Sequence, residues 1–394
     1  MRANNQNLTN LKLECTAIGS LPHTDITEAM DLVKENFSNI PFWPQLVKVN
    51  KNEDMIFQFL EGMPSFFCEE EKNYFTTEYD NFFEDLEEFF LSYEEIMNDI
   101  NSIELDKFAI TKSSTFNKYL DLIKTTKPNY AKGQIVGPFT LATTLCLENG
   151  TSAIYDDTLR EIIVKTLTLK ALWQIKQIKS ANKTTTPIIF IDEPSISQIG
   201  TSAFVGITQE DAISMIEEIA ETINNNGGLS AIHCCGKCDW SIPLKSKVKI
   251  INPDAFTFAQ NLSLFSEDIK TFLQNNGKIA WGIVPTLDKT SLENISTTDL
   301  VNKFKTAVNY LTKRGIDEKL VIENSMLTPS CGAGGLNKEL AKKAPWAWKR
   351  IYKQSQNGAL SHISTTTNKL MATKLNLLLQ EFKPDLVVST HPFA

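Results

Sequence analysis

The stretch Pro187-Ile-Ile-Phe-Ile-Asp192-Glu193-Pro194 decides how the chain is read. An unbroken apolar run ending abruptly in two carboxylates suits a strand buried on both faces whose carboxyl end opens onto a polar mouth. Runs of the same length recur on either side of it: Cys15–Leu21, Ile40–Gln45, Gln134–Pro138, Leu229–Cys235, Val248–Asp254, Lys278–Val284 and Leu320–Ser325. Between them lie amphipathic stretches with helical spacing: Ile26–Asn36, Thr158–Lys179, Glu210–Asn224, Glu267–Gln274 and Thr298–Arg314. Gly227-Gly228 and Gly315 fall where the chain must reverse into a strand. Eight strands alternating with helices predict an α/β protein, a single TIM-type (β/α)8 barrel. The segment 48–130, rich in Phe, Glu and Asp, predicts a helical insertion after the second strand, its aromatics used in helix packing.

Polar residues gather where such a barrel builds its site, at the carboxyl ends of the strands. Gly19 and Ser20 follow the first strand, Asp192 and Glu193 the fourth, and His233 and Cys235 end the fifth. Asp254 closes the sixth, and Cys331 lies just past the eighth. Residues 1–336 form this barrel, and 337–394 stand outside the alternation as a C-terminal α/β fragment ending in a strand, Leu386–Ser389.

Charge and composition exclude some partners. With 39 basic against 47 acidic residues the net charge is −8, so no basic stripe is available to release counterions from nucleic acid. No apolar window approaches the ~20 residues of a membrane-spanning helix. The amino terminus also lacks the apolar run of a signal peptide, and a cytoplasmic location is expected. In a reducing compartment, a cluster such as Cys234, Cys235 and Cys238 serves metal binding or catalysis rather than disulfides.

Residues two apart in a strand share a face, so His233 and Cys235 can hold one ion while Cys234 points away. Cys331, in a Thr-Pro-Ser-Cys-Gly loop, supplies a third ligand and leaves an open position, as catalytic zinc requires. Two rivals stand beside this set: Cys235-Gly-Lys-Cys238 as a redox pair, and Cys238 in place of Cys331.

Four stretches resemble the cobalamin-independent methionine synthase catalytic domain, in the superfamily that includes uroporphyrinogen decarboxylase. They are Ala17-Ile18-Gly19-Ser20-Leu21-Pro22-His23-Thr24, Gly137-Pro138-Phe139-Thr140, Ile191-Asp192-Glu193-Pro194, and His233-x-Cys235 with Pro329-x-Cys331-Gly332. The resemblance implies a TIM-type barrel with Zn2+ on His233, Cys235 and Cys331. It implies that Ile18, Gly19 and Ser20 contact homocysteine and that Asp192, the candidate catalytic residue, binds its ammonium. The implied reaction is methyl transfer to the homocysteine thiol, from a methyl-folate or from a methyl-corrinoid carried by a partner protein. Transfer to another thiol such as coenzyme M, and a non-catalytic structural zinc site, are the alternatives. Departures exist: the family's glutamate ligand on the sixth strand has only Asp254 as counterpart, and a glutamate that helps hold homocysteine falls on Val49. His23 reads as a surface histidine near the mouth.

The tail resembles something else. Ala344–Pro392, with Phe382-Lys-Pro-Asp-Leu-Val-Val-Ser-Thr-His391-Pro-Phe, is similar to part of the amino-terminal domain of diacylglycerol glycosyltransferases of the monogalactosyldiacylglycerol-synthase type. It reads as a fused or frame-shifted fragment without a sugar-nucleotide domain, and no glycosyl transfer is expected from it.

Overall fold

The run that opens the sequence reading is a strand, Thr186–Asp192, buried along its whole length. The computed structural model of the protein describes residues 8, 11–69 and 72–343. Within them, Tyr130–Val136 (β3), Thr186–Asp192 (β4), Leu229–Cys234 (β5), Ile250–Pro253 (β6), Lys278–Val284 (β7) and Ser325–Pro329 (β8) form one parallel sheet in sequential order. A two-stranded antiparallel hairpin, Phe66–Glu69 (β1) with Lys72–Phe75 (β2), stands apart from it.

The expected closed barrel of eight strands is therefore corrected to a six-stranded parallel half-barrel sheet. The first two expected strands make only isolated parallel bridges: Cys15 with Leu327, Ser20 with Gln45, and Phe42 with Lys132. Their sequences explain why. Pro41 and Pro44 remove two ladder donors from Ile40–Gln45, and Gly19 adopts φ +156°, which breaks the extended run before Pro22.

The eighth strand is also displaced. Leu320–Ser325 is mostly helix, Glu318–Glu323, because the Asp317 carboxylate accepts the Leu320 amide at 2.8 Å and starts a turn there. Val321 and Ile322 are buried on that helix, and the strand begins at Ser325. A short apolar run does not distinguish the two states by itself. The helices Ile26–Asn36, Asp157–Ala181, Gln209–Asn225, Ser266–Gln274 and Thr297–Thr312 lie close to their expected spans. The insertion holds the helices Phe82–Asn98 and Phe116–Thr126, but it also holds the hairpin, which helical packing alone does not anticipate. Edge-to-face contacts such as Phe66–Phe75 and Phe89–Phe108 use its aromatics.

Two cores divide the sheet. Its outer face, with Ile189, Ile191, Ile232, Cys234 and Ile251, packs into the large apolar core shared with the helices. Its inner face carries a smaller cluster drawn from all six strands: Tyr130, Ile188, Phe190, Leu229, Ala231, Ile250, Ala280 and Met326. Leu336, Leu340 and Ala341 belong to the larger core, so the described body continues through them. Of the expected tail, residues 344–394, including Leu386–Ser389, lie outside the described residues.

Candidate metal centre

Following the inner face of β4, β5, β6 and β8 toward the carboxyl end, the side chains change from apolar to polar. Phe190 gives way to Asp192, Ala231 to His233, Ile250 to Asn252 and Met326 to Thr328. Pairing places Asp192 opposite His233 and His233 opposite Asn252, so these three form one layer across β4, β5 and β6. The period of two that filled the lower inner face with hydrocarbon thus delivers ionisable groups to the rim.

Just above this layer, His233, Cys235 and Cys331 each offer a ligand atom, all within 4.8 Å of one another. Cys331 is positioned by Thr286, whose hydroxyl accepts from the Cys331 amide at 3.0 Å and donates to its carbonyl at 2.7 Å. The Ser330 amide, bonded to the Val284 carbonyl at 2.8 Å, anchors the same loop to β7.

The histidine is oriented by a residue the sequence reading missed. Asn252 donates its amide to the Thr328 hydroxyl at 2.6 Å and to the Ala280 carbonyl. Its Oδ1 therefore faces His233 Nδ1, at 2.8 Å, and accepts a proton-bearing nitrogen. Nε2 is buried and without a hydrogen-bond partner among the described residues, so it is the ring nitrogen left available to a ligand. Asn252 sits two residues before Asp254 in an expected strand, and that parity alone could have marked it as inward-facing. Asn252→Ala is expected to weaken metal binding roughly 10–100-fold, the usual effect of losing such a partner. An unchanged affinity by competition titration would show that the ring needs no orienting group.

Electrostatics agree with a ligand set. Contact with the Cys331 thiol, aided by His233, holds the Cys235 thiol down to about 4, against the effect of its burial. Contact with Cys235 and burial push the Cys331 thiol far up. Burial disfavours the His233 imidazolium, but Cys235 and Asp192 outweigh it and raise the ring to about 9. Without a metal the site is an imidazolium–thiolate pair beside a neutral thiol.

Asp192 faces the same space. Burial raises its carboxyl to about 6, with Lys132 and His233 pulling the other way, and Oδ1 has no hydrogen-bond partner among the described residues. Lys132 is fully buried, 4.5 Å over the Phe190 ring, and donates to Gln134 Oε1 at 2.9 Å and to the Ile18 carbonyl. The sequence reading missed it because the strand was begun at Gln134, four residues after its true start. Of the expected substrate segment, Gly19 bonds through its carbonyl to the Gln45 amide at 3.1 Å. Ser20 accepts the Ala333 amide at 2.9 Å through its carbonyl and the Gly334 amide at 3.3 Å through its hydroxyl. Ile18, Gly19 and Ser20 thereby join Lys132 to the Cys331 loop.

Other candidates are placed elsewhere. Asp254 lies outside the group of three, and its Oδ1 caps the helix Ala255–Leu262 by accepting the Thr257 amide at 3.0 Å. Cys238 touches Cys234, on the outer side of β5, rather than Cys235. His23 is buried, contrary to the surface reading, and Val49 is exposed. Glu193 is a structural clamp. Its carboxylate accepts the Phe139 and Thr140 amides, both at 2.8 Å, and the Thr140 hydroxyl at 2.6 Å. Gly137 makes room for it, since a Cβ there would stand 2.0 Å from Glu193 Cδ. The Gly-Pro-Phe-Thr and Asp-Glu-Pro stretches are thus two halves of one joint. Gly137→Ala is expected to lower stability by about 2–3 kcal/mol through overpacking. An unshifted Tm would show that the clamp yields.

The comparisons with known proteins point away from the methionine-synthase resemblance. The family whose model matches is described as monogalactosyldiacylglycerol (MGDG) synthase, over residues 288–394. No curated protein matches the chain. The match covers a minority of the sequence. It takes in the tail and also begins well before it, at Asp288, so it spans β8 and Cys331 within the described body. Membership of the methionine synthase family and the implied S-methyltransferase activity on homocysteine or another thiol are corrected on this finding, since the family matched is named for another synthesis. The expectation of Zn2+ with a methyl-folate or methyl-corrinoid donor, and that of a structural zinc protein, are corrected with it. What bears on metals among the described residues is the His/Cys cluster itself. No helix of the described residues is long and apolar enough to cross a membrane.

Proposed function

We propose that the protein binds a thiophilic transition-metal ion through His233, Cys235 and Cys331 and leaves it open to a small amine-bearing ligand. One observation carries this reading: three soft or borderline donors from β5 and the loop after β8 converge within 4.8 Å, with the imidazole Nδ1 engaged by Asn252 Oδ1. Two thiolates and an imidazole select a thiophilic ion over a hard one. Three protein ligands leave a coordination position for a ligand from solution.

The chain's own groups would orient such a ligand. Asp192 Oδ1, buried and without a partner among the described residues, offers a seat for an ammonium. Ile18, Gly19 and Ser20 border the site through their bonds to Lys132 and the Cys331 loop. Six free thiols among the described residues suit a reducing compartment, and a cytoplasmic location is part of the proposal. So is a division of the chain into a metal-binding body and a C-terminal segment, set beyond Ala341 rather than at Leu336 because Leu340 and Ala341 pack into the body's core.

Cobalt(II) titration of the full chain tests the binding claim, and cysteamine added to the cobalt form tests the open position. A rise in sulfur-to-cobalt absorption on adding cysteamine supports it; an unchanged spectrum sinks it. The match over residues 288–394 favours a second reading, synthesis of monogalactosyldiacylglycerol. Failure of the full chain to form that lipid from diacylglycerol and a galactosyl donor removes that reading.

A further inference from the structure

We infer that Cys235 and Cys331 are a thiol pair that a small hydroperoxide oxidises to a disulfide in the metal-free protein, tying the end of β5 to the loop after β8. The proposal concerns the site read above as a metal centre, and it rests on that reading only for the protection that a bound ion confers. The two side chains touch, and their sulfurs lie within the 4.8 Å span of the cluster. A disulfide needs about 2.05 Å between sulfurs, so closure asks for a shift of a few ångströms at most.

Exposure separates this pair from the other thiol contact among the described residues. Cys234 and Cys238 also touch, but they are 0% and 2% exposed and belong to the apolar core behind β5. Cys235 and Cys331 are half-buried and open to solvent. An oxidant arriving from solution meets the second pair first.

The chemistry balances with one hydroperoxide. The Cys235 sulfur attacks the O–O bond. An S–O bond forms, O–O breaks, and the leaving oxygen takes the Cys235 proton as an alcohol or water. The Cys331 sulfur then attacks the Cys235 sulfur; S–S forms, S–O breaks, and the departing hydroxide leaves as water with the Cys331 proton. Two thiols lose two electrons and the peroxide gains them. The bond ties two of the three ligands to each other, so the oxidised protein has no ligand set left.

The test treats the full chain, stripped of metal by a chelator, with one equivalent of hydrogen peroxide, and maps disulfides by differential alkylation and mass spectrometry. The expected product is a Cys235–Cys331 cross-link that still forms in Cys238→Ala. Preloading with cobalt(II) should slow it at least tenfold. No cross-link, or one that joins Cys234 to Cys238 first, overturns the inference. A Cys235–Cys331 cross-link that forms equally fast with cobalt present upholds the thiol pair and counts against the metal centre.

Discussion

Cys331→Ser lowers the affinity for cobalt(II) by roughly two to three orders of magnitude, since one of three ligands carries a large share of the ~10–16 kcal/mol typical of cysteine-rich sites. The fold should tolerate the change. The Cys331 loop is held by its backbone, through Thr286 and through Ala333 on Ser20, and not by the sulfur. The prediction is therefore specific: binding falls while the thermal midpoint of the metal-free chain stays within a few degrees. An affinity retained in Cys331→Ser would mean that the ion sits on other groups. A collapse of the metal-free fold would mean that the thiol has a packing role the backbone bonds do not reveal.

The second large effect is the dependence of metal binding on pH. Cys235, held down to about 4, is ionised at neutral pH and releases nothing on binding. His233, raised to about 9, is an imidazolium below that pH and must lose its proton to ligate. Cys331, pushed up by burial and by Cys235, must lose one too. Two protons leave for each ion bound, so affinity rises with pH and falls as pH drops. Between pH 6 and 8 the expected slope is about two decades of affinity per pH unit. Isothermal titration in two buffers of different ionisation enthalpy counts the released protons directly. A flat profile would mean that the imidazolium–thiolate pair does not form.

Period-two reasoning puts His233 and Cys235 on one face of a strand and leaves Cys331, in a loop, unaddressed. His233 and Cys235 share a face while Cys234 turns into the outer core, and Cys331 meets them from a loop far along the chain. The failures have equally local causes. Ile40–Gln45 reads as a strand by hydrophobicity, but Pro41 and Pro44 leave it with too few donors for a ladder. Leu320–Glu323 is apolar enough for a strand, yet Asp317 caps a helix there and the strand begins afterwards. Asp254, the possible fourth ligand by resemblance to the family's glutamate, gives its carboxylate to the cap of its helix and lies outside the group of three. Glu193 and Gly137 looked like chemistry and proved to be a joint. Lys132 falls before Gln134, where the strand is read to begin, although it is a buried lysine that interacts electrostatically with Asp192. The Gly-Pro-Phe-Thr and Asp-Glu-Pro stretches hold the backbone together, a task that any activity on this fold could share.

The central claim is that three side chains hold one soft metal ion, and the absorption spectrum of the cobalt(II)-loaded full chain tests it most directly. Saturation at one ion per chain, with intense near-ultraviolet sulfur-to-cobalt bands that weaken by about half in Cys235→Ser and in Cys331→Ser, is the predicted result. A spectrum without those bands, or one that both substitutions leave unchanged, would contradict the account.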